Sequence, residues 1–99
     1  MKDAITLASR VAINEDVIFR DLEGEIVLLN LKTGVYFGLD LVGTRIWHLI
    51  REHQSLQKAL GALLEEFEVA EARCAADLLS LVGVLREKGL VEVTAPAAG

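Results

Sequence analysis

The chain has 99 residues, enough for one small domain with one core, and its apolar fraction of 53% lies above the roughly 45–50% usual in soluble domains. No apolar run approaches the about 18 residues of a membrane span, and a formal net charge of −5 with ten scattered Lys and Arg argues against a partner recognised through its phosphates. Cys74 is the single cysteine, which excludes an internal disulfide and a cysteine-type zinc site, and the N-terminus lacks the apolar core of a secretory signal, so a cytoplasmic address is expected.

Residues 1–9 read as a loose arm. Residues 10–13 and 17–22 are apolar and β-branched around the polar break Asn14-Glu-Asp16, which predicts a first strand, whole or in two pieces. Glu23-Gly24 suits a two-residue hairpin turn, and residues 25–31 run back as the second strand. Lys32-Thr-Gly34 makes the next turn, followed by a third strand over residues 35–39.

Asp40 is placed to cap a helix whose apolar face is Val42, Ile46, Leu49 and Ile50, with Trp47 beside them, ending near Glu52-His53. Ser55 is the next cap, and Leu56, Leu60, Leu63, Leu64 and Phe67 mark a second amphipathic helix. After a break at residues 68–70, a third helix is predicted to reach Lys88, with its stripe at Cys74, Ala75, Leu78, Leu81, Val82 and Leu85 and its stop at Gly89. Residues 90–93 read as a return segment packed on the body, and residues 94–99 as a frayed, disordered tail. The expected fold is α+β, winged helix-turn-helix-like, with a three-stranded antiparallel sheet followed by three helices in a single domain over residues 10–93.

In a simple meander the third strand is an edge, and nothing from Val35 to Leu39 is charged or proline. Alternation puts Val35, Phe37 and Leu39 on one face and Tyr36 and Gly38 on the other. Such an edge suits binding by strand addition, in which main-chain bonds give affinity and side-chain pockets give specificity.

Enzyme chemistry finds no footing. There is no Gly-rich phosphate loop after a strand, no metal-ligand spacing, and no serine or cysteine matched to a base. His48 and His53 are five apart and so off a common helix face, and Cys74 on an apolar stripe reads as an inert thiol. Trp47 reads as core, one of Tyr36 and Phe37 must face each side of the sheet, and Asp77 is either a solvated acid or a bonding partner for a ligand. No cofactor is expected. Gly61 and Gly83 sit inside predicted helices, where close helix approach is one reason for them and tolerated drift the other.

The stretch Leu29-Asn-Leu-Lys-Thr-Gly-Val-Tyr-Phe-Gly-Leu-Asp-Leu-Val-Gly-Thr-Arg-Ile-Trp-His-Leu49 resembles the PqqD-like proteins, also called RiPP recognition elements. The resemblance extends over residues 10–93, continuing more weakly through residues 65–69 and 77–90. It implies a non-catalytic adaptor that binds the leader of a ribosomally made precursor peptide as a further strand on the third strand, beside the third helix, and presents it to a maturation enzyme such as a radical SAM protein or a protease. Carried onto this chain, the peptide-binding positions are Val35, Tyr36, Phe37, Gly38 and Leu39 with Asp77, Leu78, Leu81 and Leu85. Members proper to pyrroloquinoline quinone synthesis usually have a Pro-Glu-Gly-like turn and a Cys-Asp-Gly-like end to the first helix. Here Lys32-Thr-Gly34 and Ile50-Arg-Glu-His53 stand instead, so a stand-alone recognition element is the better match.

Two other readings use the same outline. A winged-helix DNA-binding regulator would insert the start of the third helix into a groove, yet Glu71 and Asp77 there oppose the lone Arg73. A homodimerising scaffold would pair the bare edge with its own copy. On the peptide reading, proline at Phe37 is expected to abolish capture and charge reversal at Arg51 to leave it intact.

Overall fold

The computed structural model describes residues 5–94. Among them the order is β1 (Arg10–Ile13), β2 (Val17–Leu22), β3 (Glu25–Asn30), β4 (Tyr36–Gly38), α1 (Leu41–His53), α2 (Leu56–Glu66), α3 (Glu71–Glu87) and β5 (Val91–Thr94). The three-stranded antiparallel meander β2-β3-β4 followed by three helices is the expected α+β plan.

The segment before the first hairpin divides between two sheets. β2 joins the meander, whereas β1 leaves it and pairs antiparallel with β5, Arg10 opposite Thr94 and Ile13 opposite Val91. The break lies where Asn14 Oδ1 accepts from the Asp16 amide at 2.9 Å, a side-chain turn that ends one strand before the next begins. The return segment is thus a strand, and Thr94, expected in the tail, closes its ladder. The rest of that tail lies outside the described residues, as does the start of the N-terminal arm. Within the arm, Ile5 and Leu7 pack on the core and Ser9 is buried.

Local chemistry sets each turn and cap. Glu23 and Gly24 take φ of 58° and 91°, the left-handed pair that a two-residue hairpin needs, and Asp21 Oδ1 accepts from the Gly24 amide. Asp40 Oδ1 accepts from the Gly43 amide at 2.8 Å and Ser55 Oγ from the Lys58 amide at 3.3 Å. At the end of α3, Leu90 N donates to Leu85 O and Gly89 N to Arg86 O, a Schellman motif that Gly89 permits with φ of 73°.

The inner face of the sheet, Ile26 and Leu28, meets Trp47, Leu49 and Ile50 of α1, with Leu56 and Leu60 of α2 and Leu78, Val82 and Leu85 of α3 completing the core. Trp47 is fully buried, as its place on the helix suggested. Arg45 clasps Glu66 with two bonds of 2.7 and 2.6 Å, which hold the Glu66 carboxyl below its usual range. Both side chains are largely in water, so the pair contributes little to stability.

Sheet and first helix are joined by Thr44. Its buried Oγ1 accepts from the Ile26 amide at 2.9 Å and donates to the Leu39 carbonyl at 3.4 Å. Thr44→Val keeps the volume but leaves the Ile26 amide unpaired, and is expected to cost about 1–3 kcal/mol in chemical denaturation. Gly61 has nothing within 4 Å of an added Cβ, and at Gly83 the nearest atom is at an ordinary 3.9 Å, so close helix approach explains neither. Gly61→Ala should therefore raise stability by roughly 0.8–1 kcal/mol on the same measurement.

Candidate functional site

The third strand is an edge with a defined hydrogen-bonding polarity. Among the described residues β4 pairs only with β3, with Leu28 opposite Phe37, Leu29 opposite Tyr36 and Val27 opposite Gly38. Two residues to either side, Asn30 N donates to Val35 O and Leu39 N to Ile26 O, both at 2.8 Å. Bonded and non-bonded pairs alternate along an antiparallel ladder, so Phe37 turns its amide and carbonyl toward Leu28. Tyr36 and Gly38 turn theirs outward. The open edge is therefore two donors and two acceptors on these two residues.

Beyond them the edge closes. The Gly34 amide is taken by the Asn30 carbonyl in the turn, and the Asp40 carbonyl receives the Thr44 amide as α1 starts. No charge or proline lies between to repel an incoming strand.

Beside this edge runs a groove of about 280 Å³. One wall is Phe37, Gly38 and Leu39, and the other is Asp77 and Leu81 of α3; Val42, Gly43 and Ile46 of α1 also line it. Phe37 is half-buried, with the Lys88 ammonium 5.4 Å from its ring centroid. An adjoining cavity of about 330 Å³ shares Val42, Ile46 and Asp77 and continues to Leu63, Phe67, Val69 and Cys74. Its lining is largely apolar, and Val42 and Phe67 are 53% and 41% exposed. Sequence reasoning missed both the α1 wall and this second cavity. The available signal was Phe67 and Val69, two apolar residues bracketing an acid in the break between helices.

The predicted positions fall into three groups. Phe37, Gly38, Leu39, Asp77 and Leu81 are brought together around the groove. Val35 lies just before β4 and Tyr36, 72% exposed, projects from the opposite face of the sheet. Leu78 and Leu85 have no exposed surface, because they belong to the part of the α3 stripe that packs on the core. They support the groove from within and offer a ligand no direct contact.

The Cys74 thiol is pushed up by burial and by the nearby Asp77 charge, the reverse of what a nucleophile requires. Among the described residues no three metal-ligating side chains converge.

A meander with β4 at an edge, a groove between β4 and α3, and a separate short β1–β5 sheet define the architecture of a RiPP recognition element. The chain belongs to the PqqD family: the family model described as coenzyme PQQ synthesis protein D matches residues 25–91. Among solved structures, TbiB1 in complex with the TbiA(beta) leader peptide is 38% identical and superposes with a TM-score of 0.77, over 81% of this chain and 93% of that one. Lasso peptide synthetase B1 complexed with the leader peptide shares the fold, with a TM-score of 0.76 at 22% identity over 84% of this chain and 98% of that one. No curated protein matches the sequence.

The ladder polarity corrects the expectation for proline. At Phe37 it removes the donor to Leu28 and breaks the β3–β4 ladder itself, so a binding loss there reports lost structure. At Tyr36 or Gly38 it removes only an outward donor, which an edge strand tolerates. Tyr36→Pro and Gly38→Pro should keep melting temperatures close to the parent, whereas Phe37→Pro should lower stability by about 1–3 kcal/mol through the unpaired ladder partner, checked by thermal denaturation with circular dichroism.

Proposed function

We propose that this chain is a non-catalytic adaptor that binds the leader of a ribosomally synthesised precursor peptide as a strand added to β4, and presents it to a maturation enzyme, a radical SAM protein or a protease. The observation that carries this reading is the pair of outward-facing backbones at Tyr36 and Gly38 beside the groove of Phe37, Leu39, Asp77 and Leu81. A strand pairing there gains its hydrogen bonds from the main chain of β4 and its selectivity from the two adjoining cavities. The relative at 38% identity, whose structure holds a leader peptide, supports the assignment.

Asp77 lies between the two cavities and is exposed, so it is available to accept a hydrogen bond from the bound segment. Leu81, half-buried, supplies the apolar side of the same groove. A DNA-binding role is disfavoured by charge: the exposed start of α3 carries Glu71 and Asp77 against Arg73.

The test uses a synthetic TbiA(beta) leader peptide, the one held by the relative at 38% identity, titrated by fluorescence anisotropy and followed by amide hydrogen exchange. Saturation should slow exchange at the Tyr36 and Gly38 amides while leaving Phe37, already bonded within the sheet, little changed. Gly38→Pro should weaken binding by about tenfold, as expected for one lost backbone bond of roughly 1 kcal/mol together with the ring's interference with the added strand. Saturable binding with no protection at Tyr36 and Gly38 would mean that the peptide sits elsewhere.

A further inference from the structure

The groove beside β4 carries opposite charge at its two ends. Among the described residues, the charged ones that line it and the cavity adjoining it are Asp40, Glu68 and Asp77, all acids. The Asp40 carboxylate is engaged by the Gly43 amide at the start of α1, whereas Asp77 is exposed at the border of the two cavities. At the other end the Lys88 ammonium lies 5.4 Å from the Phe37 ring centroid, and Lys88 is exposed as well. α3 and β4 run in opposite directions: Asn30, which opens the turn into β4, bonds the Gly89 carbonyl, while Leu39, just past β4, lines the groove with Asp77. Acid and base therefore flank opposite ends of one short strand.

We propose that the segment added to β4 carries a cation and an acid four residues apart with an apolar residue midway, its cation pairing with Asp77 and its acid with Lys88. The pattern rests on β4 being the peptide-accepting strand. Its spacing follows from the register. Tyr36 and Gly38 hold the outward-facing backbone, so the added residues opposite them make the main-chain bonds and point away from the groove. Those opposite Val35, Phe37 and Leu39 point into it. The cation then stands opposite Leu39, the apolar residue opposite Phe37 and beside Leu81, and the acid opposite Val35. Four residues of antiparallel strand span about 14 Å. Between Asp77 and Lys88 α3 rises roughly 16–17 Å, and the Lys88 side chain, bent back onto Phe37, makes up the difference. In antiparallel pairing, the more stable kind, the cation comes first in chain order.

Charge complementarity selects this occupant. An acidic segment meets like charge at Asp77 and Glu68, a basic one meets it at Lys88, and an uncharged apolar strand strips water from Asp77 without replacing its bonds. A segment with the two charges exchanged is repelled at both ends. Exposed ion pairs add little affinity, so the effect is mainly discrimination between sequences.

The experiment uses the full chain and three labelled synthetic peptides of equal length in a common Ser/Thr frame, with centres Lys-Thr-Val-Thr-Glu, Glu-Thr-Val-Thr-Lys and Gln-Thr-Val-Thr-Gln. The TbiA(beta) leader peptide serves as reference. By fluorescence anisotropy the first peptide should bind about tenfold more tightly than the second, with the neutral one between, and added salt should narrow the gap. In the double variant Asp77→Lys/Lys88→Glu, whose fold is checked by its melting temperature, the preference should invert. Equal affinity for the first two peptides overturns the proposal, as does a preference that the double variant leaves unchanged. A dimer in sedimentation that none of the peptides displaces gives the groove to a second copy and overturns it too. If the reference leader binds and protects Tyr36 and Gly38 while the three peptides bind alike, the charge pattern falls and the capture reading stands. If the first peptide is preferred and inverts as expected while the leader does not bind, the pattern stands and the leader assignment falls.

Discussion

Two buried polar side chains tie the β3–β4 hairpin to the helix layer, and the placement of the groove depends on them. Asn30, only 2% exposed, accepts from the Lys32 and Thr33 amides with Oδ1 and donates to the Gly89 carbonyl at 2.9 Å with Nδ2. It thereby ties the hairpin carrying β4 to the residue that ends α3. Thr44 does the equivalent at the other end, bonding Ile26 and Leu39 from within α1. A hydrogen bond between buried groups is worth little net, but an unmade one costs a full desolvation, so the alternative arrangements of β4 against α3 are the expensive ones.

This fixed geometry separates the two surfaces of the meander. On the inner side, Phe37 and Leu39 turn toward the groove, and on the outer side Tyr36 and Gly38 stand beside Leu29 and Val27. The backbone polarity follows the same alternation, so the residues that expose their amides are also the ones that face away from the helices. A strand added at the edge consequently has one face over the groove and the other on the side of the sheet away from the helices. Cation–π contact between Arg51 and Phe19, at 4.4 Å, belongs to the β2 side and is remote from the groove in the sheet order.

Much of this was legible in the sequence because it is locally encoded. Glu23-Gly24, Gly34, Asp40, Ser55 and Gly89 each specify a turn or a cap through the φ they accept or the amide they bind, and each does so in the structure. What was illegible is non-local. The partner of Arg10–Ile13 lies at the far end of the chain, and no feature of either segment names the other. Asn14 and Asn30 both donate to the Gly89 carbonyl, a convergence of three turns that spacing cannot reveal. On α3, periodicity identifies the apolar stripe but not its inner and outer margins. Leu78 and Leu85 fall inside, and Leu81 falls at the groove.

The placement of Asp77 bears on how selectivity could arise at so small a site. The β4 edge offers bonds from two residues, and main-chain bonds do not distinguish one peptide sequence from another. Discrimination must come from the two cavities, whose shared border holds a carboxylate among apolar side chains. A segment that fills both with apolar groups passes across Asp77 between them. If it carries no donor there, it removes water from that carboxylate without replacing the lost hydrogen bonds, a cost that grows with burial. A segment with a donor at that point avoids the cost, so on the proposed peptide-binding reading the acid would select against otherwise well-fitting apolar strands more than it would add affinity for the right one.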